Sequence, residues 1–295
     1  MGKKLSLAVA AKGQCDPQPF LDALLADGIT QSPDIDIHIA HDSIWPLTLD
    51  NLSDNVTLHA CPLGTSILKL WGKAISASTG DYAAVLDIYC QPAVGWLDSV
   101  LQEIKKGSVV FCGPVNPGWQ RNDPRIVGYL TEYAQFSRPL METDEVPGNN
   151  IACLRYLFEK DEKLQTEGFF KTFMVWKLES EQNLIPVRVN SMLINYRKPF
   201  KTAHYIKRRF IHGRCFGATR HDNPGQPSRL VCLGFTVLLP FLRLWRIYKA
   251  VRDKNDLKWA FFRFLFLVVL SECAWSAGEF FGYAFGGKTY CDNLD

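Results

Sequence analysis

The sequence has 295 residues, enough for one large α/β domain with an appended segment, and its composition is that of an ordinary globular protein apart from 13% aromatic residues. The net charge is only +3, yet residues 197–263 contain 16 Lys or Arg against 3 Asp or Glu, so the rest of the chain is acidic. A basic block beside apolar segments favours an anionic membrane surface as partner. Nucleic acid is the rival partner, but no DNA- or RNA-binding motif accompanies the block, so we expect none.

The cysteines and the first residues bear on the cellular compartment. Nine cysteines are scattered along the chain, and none forms a C-x-x-C pair with zinc-like spacing. An odd, scattered set is typical of a reduced, cytosolic protein. The apolar run after Lys4 has only seven residues, which is too short for a signal peptide. We therefore expect this run to be a strand and the main domain to be cytoplasmic.

Strand and helix patterns alternate over the first 113 residues. Strands are expected where apolar residues run together or alternate, and helices where they repeat every three or four positions. This βαβ rhythm predicts a mostly parallel sheet with helices on both faces. The expected strands are Leu5–Ala11, Ile35–His41, Val56–Cys61, a run ending at Asp87 and Val109–Gly113, and the expected helices are Pro17–Ala26, Ile67–Ser78 and one beginning at Trp96.

The pattern changes after Gly113. A loop rich in Pro, Gly and Asn precedes a helix near 125–136, and later come an edge strand at 184–196 and a basic helix at 200–220. The turn-rich segment that follows this basic helix predicts a domain boundary. The expected organisation is a main domain at 1–220, a linker at 221–229 and a membrane-associated helical segment at 230–295.

Two apolar segments close the chain, Leu230–Leu242 and Trp259–Gly287. The first reaches only about 20 Å as a helix, short of a hydrocarbon core of roughly 30 Å. The second is interrupted by Arg263, Glu272 and Glu279. An apolar helical hairpin lying in the membrane interface therefore fits better than two spans. The alternative is a buried helical pair of a soluble protein.

Asp87 ends the most continuous buried-strand pattern, in which five apolar or aromatic residues, 82–86, precede it. Parallel sheets bind ligands just beyond the carboxyl ends of their strands, so an acid there can hold a metal, a ribose or a phosphate-bearing cofactor. Two residues later, where a second metal-binding acid would be useful, stands Tyr89.

The ordered set of motifs resembles the family 2 glycosyltransferases, which are inverting, use sugar nucleotides and have a GT-A fold. The resemblance covers roughly residues 5–220 and implies an α/β, GT-A-like nucleotide-binding fold with a mostly parallel central sheet, followed here by the apolar helical hairpin. The motifs that carry it are LSLAVAAKG, IDIHIAHDS, ASTGDYAAVLDIYCQPAVGWLDSVL, VPGNNIACLRYLF, YIKRRFIHGRCFGATR and SAGEFFGYAFGG.

The resemblance implies donor-binding residues at the strand ends. Ala10 and Ala11 would line the nucleotide pocket, and Asp42 would contact the base or ribose, although a turn residue is an equal reading of Asp42. Asp87 matches the first acid of a D-x-D motif, which implies a divalent metal, Mg²⁺ or Mn²⁺. Tyr89 stands in the place of the second acid, and a neutral phenol is a poor ligand for such ions. The donor metal is therefore doubtful.

The acceptor side follows from the same resemblance. A base is expected near the start of a helix in EGFFKTFMVW, where Lys171 aligns with the usual acid and Glu167 is the nearest carboxylate. The alternative for Glu167 is an acid that interacts with the helix dipole. Residues expected to bind phosphate or acceptor are Asn149 and Asn150, otherwise turn and cap residues, and Arg209, His212 and Arg214, otherwise a basic face for lipid headgroups.

The implied activity is transfer of a sugar, with inversion, from a nucleoside diphosphate sugar to a lipid-linked or polysaccharide acceptor at the cytosolic membrane face. A second hypothesis is a catalytically degenerate relative that serves as a binding or scaffold subunit of a polysaccharide pathway, because Tyr89 and Lys171 replace acids. A soluble nucleotidyltransferase is a weaker option, since AAKGQCDPQ lacks the Gly-rich basic loop that such enzymes place after the first strand.

Overall fold

The computed structural model describes residues 4–13, 16–42, 53–140, 145–159, 164, 166–199, 201–220 and 226–294, apart from the side chains of 288–290. Ten strands and eleven α-helices occur in these ranges. The strands are β1 (Leu5–Ala11), β2 (Ile35–His41), β3 (Val56–Ala60), β4 (Tyr82–Asp87), β5 (Cys90–Pro92), β6 (Val110–Cys112), β7 (Val115–Pro117), β8 (Asn150–Leu154), β9 (Val187–Arg188) and β10 (Ile194–Tyr196).

The helices alternate with the strands in the first half of the chain and dominate the second half. They are α1 (Gln18–Ala26), α2 (Ile67–Ala77), α3 (Trp96–Lys106), α4 (Ile126–Glu132), α5 (Tyr156–Glu159), α6 (Lys171–Gln182), α7 (Thr202–Thr219), α8 (Arg229–Phe235), α9 (Leu239–Val251), α10 (Asn255–Arg263) and α11 (Leu265–Phe285).

A seven-stranded sheet organises the first half, in the order β3-β2-β1-β4-β8-β6-β9. β1, β2, β3 and β4 run parallel, and only β8 is antiparallel to its neighbours β4 and β6. β1, β2 and β4 are buried at every position, which explains their near-continuous apolar sequences. The predicted α/β class with a mostly parallel central sheet is therefore confirmed.

The local chemistry of α3 shows why the strand–helix boundaries were predictable. Gly95 adopts a left-handed conformation at φ 87° immediately before the helix, and Gly107 ends it at φ 75°. The carboxylate of Asp27 accepts the amides of Gly95 and Leu97 at 2.5 and 2.7 Å, which caps the otherwise unpaired N-terminal donors. Trp96 is fully buried at the first turn.

The chain divides into two compact units, but not at the predicted boundary. The first unit comprises residues up to Asn116 and Arg138–Asn195, and the second comprises Pro117–Ser137 and Tyr196–Leu294. Residue 220, where the main domain was expected to end, therefore lies inside the second unit. The reason is that α7 packs along α11, so the basic helix belongs with the C-terminal helices.

Glycines allow α7 and α11 to pack at backbone contact. A Cβ at Gly217 would lie 2.5 Å from the carbonyl oxygen of Glu279, and one at Gly278 would overlap the carbonyl oxygen of Phe210. Gly213 and Gly282 are equally tight against the opposite helix. Both helices thus carry glycines four residues apart, the small-residue spacing that lets helix axes approach closely. This signal is present in the sequence and was not used in the prediction.

The C-terminal segment is four helices rather than the predicted hairpin. α8 and α9 are bent by 67° relative to each other at a short break, where Pro240 stands in the first turn of α9. Within the described residues, α11 is the one helix that is long and apolar enough to cross a membrane. The predicted hairpin is thus replaced by one long apolar helix and three shorter ones.

One disulfide departs from the expectation of reduced thiols. Cys215 of α7 is bonded to Cys291 in a 3₁₀ segment after α11, and the other cysteines in the described ranges form no disulfide. The two positions are 76 residues apart in sequence. Only the packing of the chain end against α7 brings them together, so their spacing carried no signal.

Candidate functional site

The carboxyl ends of β1, β2 and β4 meet at one edge of the sheet, because these strands run parallel. Ala10 of β1 is in register with Asp87 of β4, and Ala11 is in register with His41 of β2, one residue before Asp42. The side chains of Ala10 and Ala11 are fully buried. The structure therefore brings together all the positions predicted for the nucleotide side of the site.

Asp87 is almost completely buried, with 4% of its surface exposed. Its Oδ1 accepts the amide of Tyr89 at 2.9 Å, which forms a local turn after the strand. The hydroxyl of Tyr89 donates to the carbonyl oxygen of Lys12 at 3.2 Å. Asp87 and Tyr89 thus connect the end of β4 to the loop that follows β1.

Asp42 is held by three internal donors. The ammonium of Lys12 lies 2.6 Å from its carboxylate, and the amides of Gly13 and Gly64 donate to it at 2.8 and 3.2 Å. Burial by itself raises the pKa of Asp42, but the hydrogen bonds from Gly13 and Lys12 outweigh it, so the pKa is below the usual 3.8. Lys12 was not among the predicted site residues, although it follows β1 directly.

We expect Lys12→Met to destabilise the first unit by about 3 kcal/mol at neutral pH, because it leaves a buried carboxylate without its cation. The depressed pKa of Asp42 contributes stability that is present above about pH 4 and is lost as the pH falls through the folded-state pKa. The variant should therefore show a shallower loss of stability on acidification below about pH 4. Urea unfolding at several pH values measures this.

Lys4→Met is the matched control for that experiment. Lys4 pairs at 3.2 Å with Asp34 on the surface, where both side chains are largely exposed, and such pairs contribute at most about 1 kcal/mol. Equal effects of the two substitutions would contradict a structural role for the Lys12–Asp42 pair.

The carboxylates and other side chains that could hold a metal ion are few at this edge of the described sheet. Among the described residues, no three His, Cys, Asp or Glu side chains gather where they could hold an ion. The phenol that replaces the second acid of the motif, Tyr89, is already directed to the carbonyl oxygen of Lys12. One carboxylate, Asp87, is then the only hard oxygen ligand that the motif offers to Mg²⁺ or Mn²⁺.

Asn149 and Asn150 lie at the same edge of the sheet, but their side chains have different hydrogen-bond partners. Asn150 pairs with Leu86 across β4 and β8. Its Oδ1 accepts the indole of Trp96 at 3.0 Å, and its Nδ2 donates to the carbonyl oxygens of Pro114 and Met192 at 3.0 and 2.7 Å. Asn150 is therefore reassigned from ligand binding to the framework, where its amide ties three segments together.

Asn149, unlike Asn150, has a side-chain oxygen that can bind a ligand. It precedes the residue opposite Leu86, so it lies across from Asp87 in the sheet register. Its Nδ2 donates to the thiol sulfur of Cys90 at 2.8 Å, while its buried Oδ1 has no hydrogen-bond partner within the described part of the chain. A buried oxygen without a hydrogen-bond donor destabilises the folded protein. The oxygen is therefore suited to accept a hydrogen bond from the hydroxyl of a ligand.

The segment predicted to supply the base is divided between a turn and a helix. Glu167 is exposed in a turn, and α6 begins four residues later at Lys171. Lys171 packs against Gly148, where a Cβ would lie 2.6 Å from its Cγ, and its ammonium donates to the carbonyl oxygen of Val146. Burial lowers the pKa of Lys171, although the carboxylate of Glu145 opposes this shift.

The residues of α7 that were predicted to bind phosphate or acceptor, Arg209, His212 and Arg214, lie in the second unit. Arg209 is buried, its guanidinium is 2.9 Å from the carboxylate of Glu272 and 3.1 Å from the hydroxyl of Ser271, and it lies over the ring of Trp275. Arg209 is therefore reassigned from phosphate binding to an internal ion pair. The sequence suggested a solvated basic face because the acidic partner is 63 residues away.

His212 and Arg214 share this environment. The ring of His212 packs edge-on against that of Trp275 with centroids 4.7 Å apart. Desolvation lowers the pKa of His212 to about 3, so the ring is neutral near pH 7. The backbone of Arg214 contacts Gly278 and Gly282 of α11. Neither residue is in the unit that holds Asp87.

Comparisons with known proteins support the fold. No protein-family model matches the chain, and no curated protein does. Among solved structures, the mannosyltransferase PcManGT from Pyrobaculum calidifontis, in complex with GDP-Man and Mn²⁺, is similar over 96% of this chain and 87% of its own, with a TM-score of 0.54 and 13% identity.

Two further structures give weaker matches of the same kind. S. aureus TarS 1–349 matches over 93% of this chain and 90% of its own, with a TM-score of 0.50 and 12% identity. A mycobacterial protein matches over 77% and 76%, with a TM-score of 0.50 and 13% identity. At such identities the likeness concerns the fold alone. The chain has a GT-A-like fold with a mostly parallel central sheet and, within its described residues, one long apolar C-terminal helix.

Proposed function

We propose that this protein transfers a sugar, with inversion, from a nucleoside diphosphate sugar to a lipid-linked or polysaccharide acceptor at the cytosolic face of a membrane. The observation that carries the proposal is the buried Asp87 at the carboxyl edge of a GT-A-like sheet, beside the open oxygen of Asn149. Open α/β sheets bind nucleotide ligands at this edge. The basic and apolar C-terminal helices support a membrane location.

The donor would lie across the ends of β1, β2 and β4. Ala10 and Ala11 lie fully buried beneath the strand ends, Asp42 and Tyr89 hold the surrounding loops, and Asp87 and Asn149 supply acceptors for donor hydroxyls. Hydrogen bonds from the donor hydroxyls to these oxygens would fix the orientation of the donor's anomeric carbon. Holding the reacting atoms in the right geometry is a large part of what a protein contributes to such a reaction.

The reaction is a single displacement. The acceptor oxygen bonds to the anomeric carbon from the face opposite the diphosphate, and the carbon–oxygen bond to the diphosphate breaks with its electron pair leaving on the diphosphate. The hydroxyl proton passes to a base, and we assign this role to Glu167, which is exposed in the turn before α6.

A second candidate is a catalytically degenerate scaffold subunit. Its specific support is Lys171, which stands where a base is expected and is committed to the carbonyl oxygen of Val146. Such a protein would bind a sugar nucleotide or a glycan without transferring the sugar.

A thermal-shift screen of UDP, GDP and dTDP sugars, with and without Mn²⁺, tests the proposal. A donor at a hundred times its Kd should stabilise the protein by about 2.7 kcal/mol, which corresponds to a shift of about 5 °C. We expect one donor to give this shift with little change on adding Mn²⁺. Slow hydrolysis of that donor would identify the enzyme, and binding without hydrolysis would identify the scaffold. Neither binding nor hydrolysis with any donor would refute both.

A further inference from the structure

Exposed apolar side chains are concentrated in the C-terminal helices. Of the 23 large apolar residues that are exposed in the described chain, 17 lie between residues 229 and 285. Scattered exposed apolar residues are normal in soluble proteins, but a concentration in one part of one unit marks an interaction surface.

The densest part of this set follows α8, the bend and α9 without interruption. We call it the α8–α9 surface. It has no charged residue from position 230 to 242, and most of its large side chains are more than half exposed. Its principal members are Leu230, Phe235, Val237, Leu238, Phe241 and Trp245.

Cations and aromatic rings border the α8–α9 surface. Arg246, Lys249 and Arg252 are exposed on the continuation of α9, and the ammonium of Lys249 lies 4.4 Å from the ring centre of Trp245. Between residues 229 and 263 the acids are Asp253 and Asp256, against eight Lys or Arg. Tryptophan beside Lys and Arg at the edge of an apolar face is typical of helices that lie in the interface of an anionic bilayer.

The geometry of α8 and α9 favours the interface: neither helix spans a bilayer alone, and together they are long and apolar enough only for a broken span or a re-entrant loop. The helices have 7 and 13 residues and are bent by 67°. At 1.5 Å per residue, the longer one reaches only about 20 Å, against a hydrocarbon core of roughly 30 Å. The surface therefore suits the interface rather than the centre of a membrane.

The longer helix α11 packs against α7 through ion pairs and close backbone contacts. Because of these contacts, α11 could not cross a bilayer without α7. Glu272 of α11 is fully buried and pairs with Arg209 of α7 and Arg243 of α9. The glycine contacts hold α7 against α11, and the Cys215–Cys291 disulfide joins α7 to the segment after α11. If α11 crossed a bilayer, α7 would enter with it and bring Lys207 and Arg214 together with the ion pairs Arg209–Glu272 and Arg220–Glu279, and these groups are costly in hydrocarbon.

We propose that the second unit docks peripherally on an anionic lipid bilayer, with the α8–α9 surface in the interface and no helix crossing it. Charge argues for lipid rather than a second copy of the chain, because a second copy would present the same excess of Lys and Arg beside its own α8–α9 surface. The proposal does not depend on sugar transfer, since it rests on residues of the second unit alone.

Flotation of the full chain with lipid vesicles tests the proposal. We expect binding to vesicles of phosphatidylcholine with phosphatidylglycerol, and weaker binding to phosphatidylcholine alone. The double variant Phe241→Glu/Trp245→Glu should bind the anionic vesicles at least about tenfold more weakly. The matched control is Leu63→Glu/Ile185→Glu, which changes two residues of the first unit that are 77% and 68% exposed and should leave binding unchanged.

Further experiments distinguish peripheral binding to lipid from a membrane-spanning helix and from dimer formation. Arg246→Glu/Lys249→Glu should abolish the preference for anionic vesicles, and circular dichroism confirms that each variant is folded. Resistance of the bound wild-type protein to extraction by high salt and alkaline carbonate would overturn the proposal in favour of a spanning helix. It is also overturned if the wild-type protein binds neither vesicle, or if Trp245→Glu instead abolishes a concentration-dependent dimer seen by sedimentation.

Discussion

Replacing Asp87 with Ala should reduce by about half or more the thermal shift that a nucleoside diphosphate sugar gives the wild-type protein. The carboxylate is the one acid at the carboxyl end of β4, and losing it removes a charged acceptor that is almost completely buried. A hydrogen bond to a charged group contributes about 1.5–3 kcal/mol, so binding should weaken by at least about tenfold. The measurement is the donor-dependent shift of the midpoint temperature.

Asp87→Asn separates the charge from the turn. An asparagine oxygen can still accept the amide of Tyr89, so this variant should keep the wild-type stability while binding the donor more weakly. Asp34→Ala is the control, because Asp34 is a surface residue of the same unit whose partner is Lys4. A donor shift that keeps its wild-type size in both Asp87 variants would show that the acid only closes the turn after β4.

The second large effect is expected from Gly278→Ala, which should destabilise the second unit by about 3 kcal/mol. The new Cβ would overlap the carbonyl oxygen of Phe210, and α7 cannot yield without disturbing Gly213, Gly217 and the disulfide at Cys215. The intrinsic gain from Ala over Gly inside a helix, about 1 kcal/mol at most, is smaller than this cost. Denaturant unfolding followed by tryptophan fluorescence measures the loss.

Gly234→Ala is the matched control, because nothing lies within 4 Å of a Cβ at Gly234 of α8. Here the helix propensity acts alone, and the variant should be as stable as the wild type or more stable by up to about 1 kcal/mol. The two substitutions are chemically identical and should have opposite signs. If Gly278→Ala were neutral, the close contact of α7 and α11 would not exist in solution.

The residues that sequence analysis located correctly are those whose position follows from a local pattern. The strand from Leu5 to Ala11 and the strand ending at Asp87 have the predicted bounds, because continuous apolar runs specify buried parallel strands. Their common edge follows from parallel pairing alone. The bounds of α3 follow from Gly95, Gly107 and a helical repeat that starts at Trp96.

The hydrogen-bond and ion-pair partners of polar side chains were not predicted from the sequence. Asp42 was interpreted without Lys12, Asn150 without Trp96, and Arg209 without Glu272, because each partner is 30 or more residues away. A side chain that is satisfied internally has the same sequence signature as one that awaits a ligand. Asn149 shows the converse, since its open Oδ1 is visible only once its neighbours are in place.

The sequence by itself determined the α/β class, the strand-end position of Asp87 and the apolar, basic character of the C-terminus. These depend on residue order and periodicity, which act over a few positions. Only the tertiary structure decided that α7 belongs with α11, that the acids of α11 are neutralised by arginines, and that the C-terminal segment is four helices rather than a hairpin. The reason is physical: burial and charge pairing depend on which surfaces meet, and the meeting of α7 with α11 joins residues more than 60 positions apart.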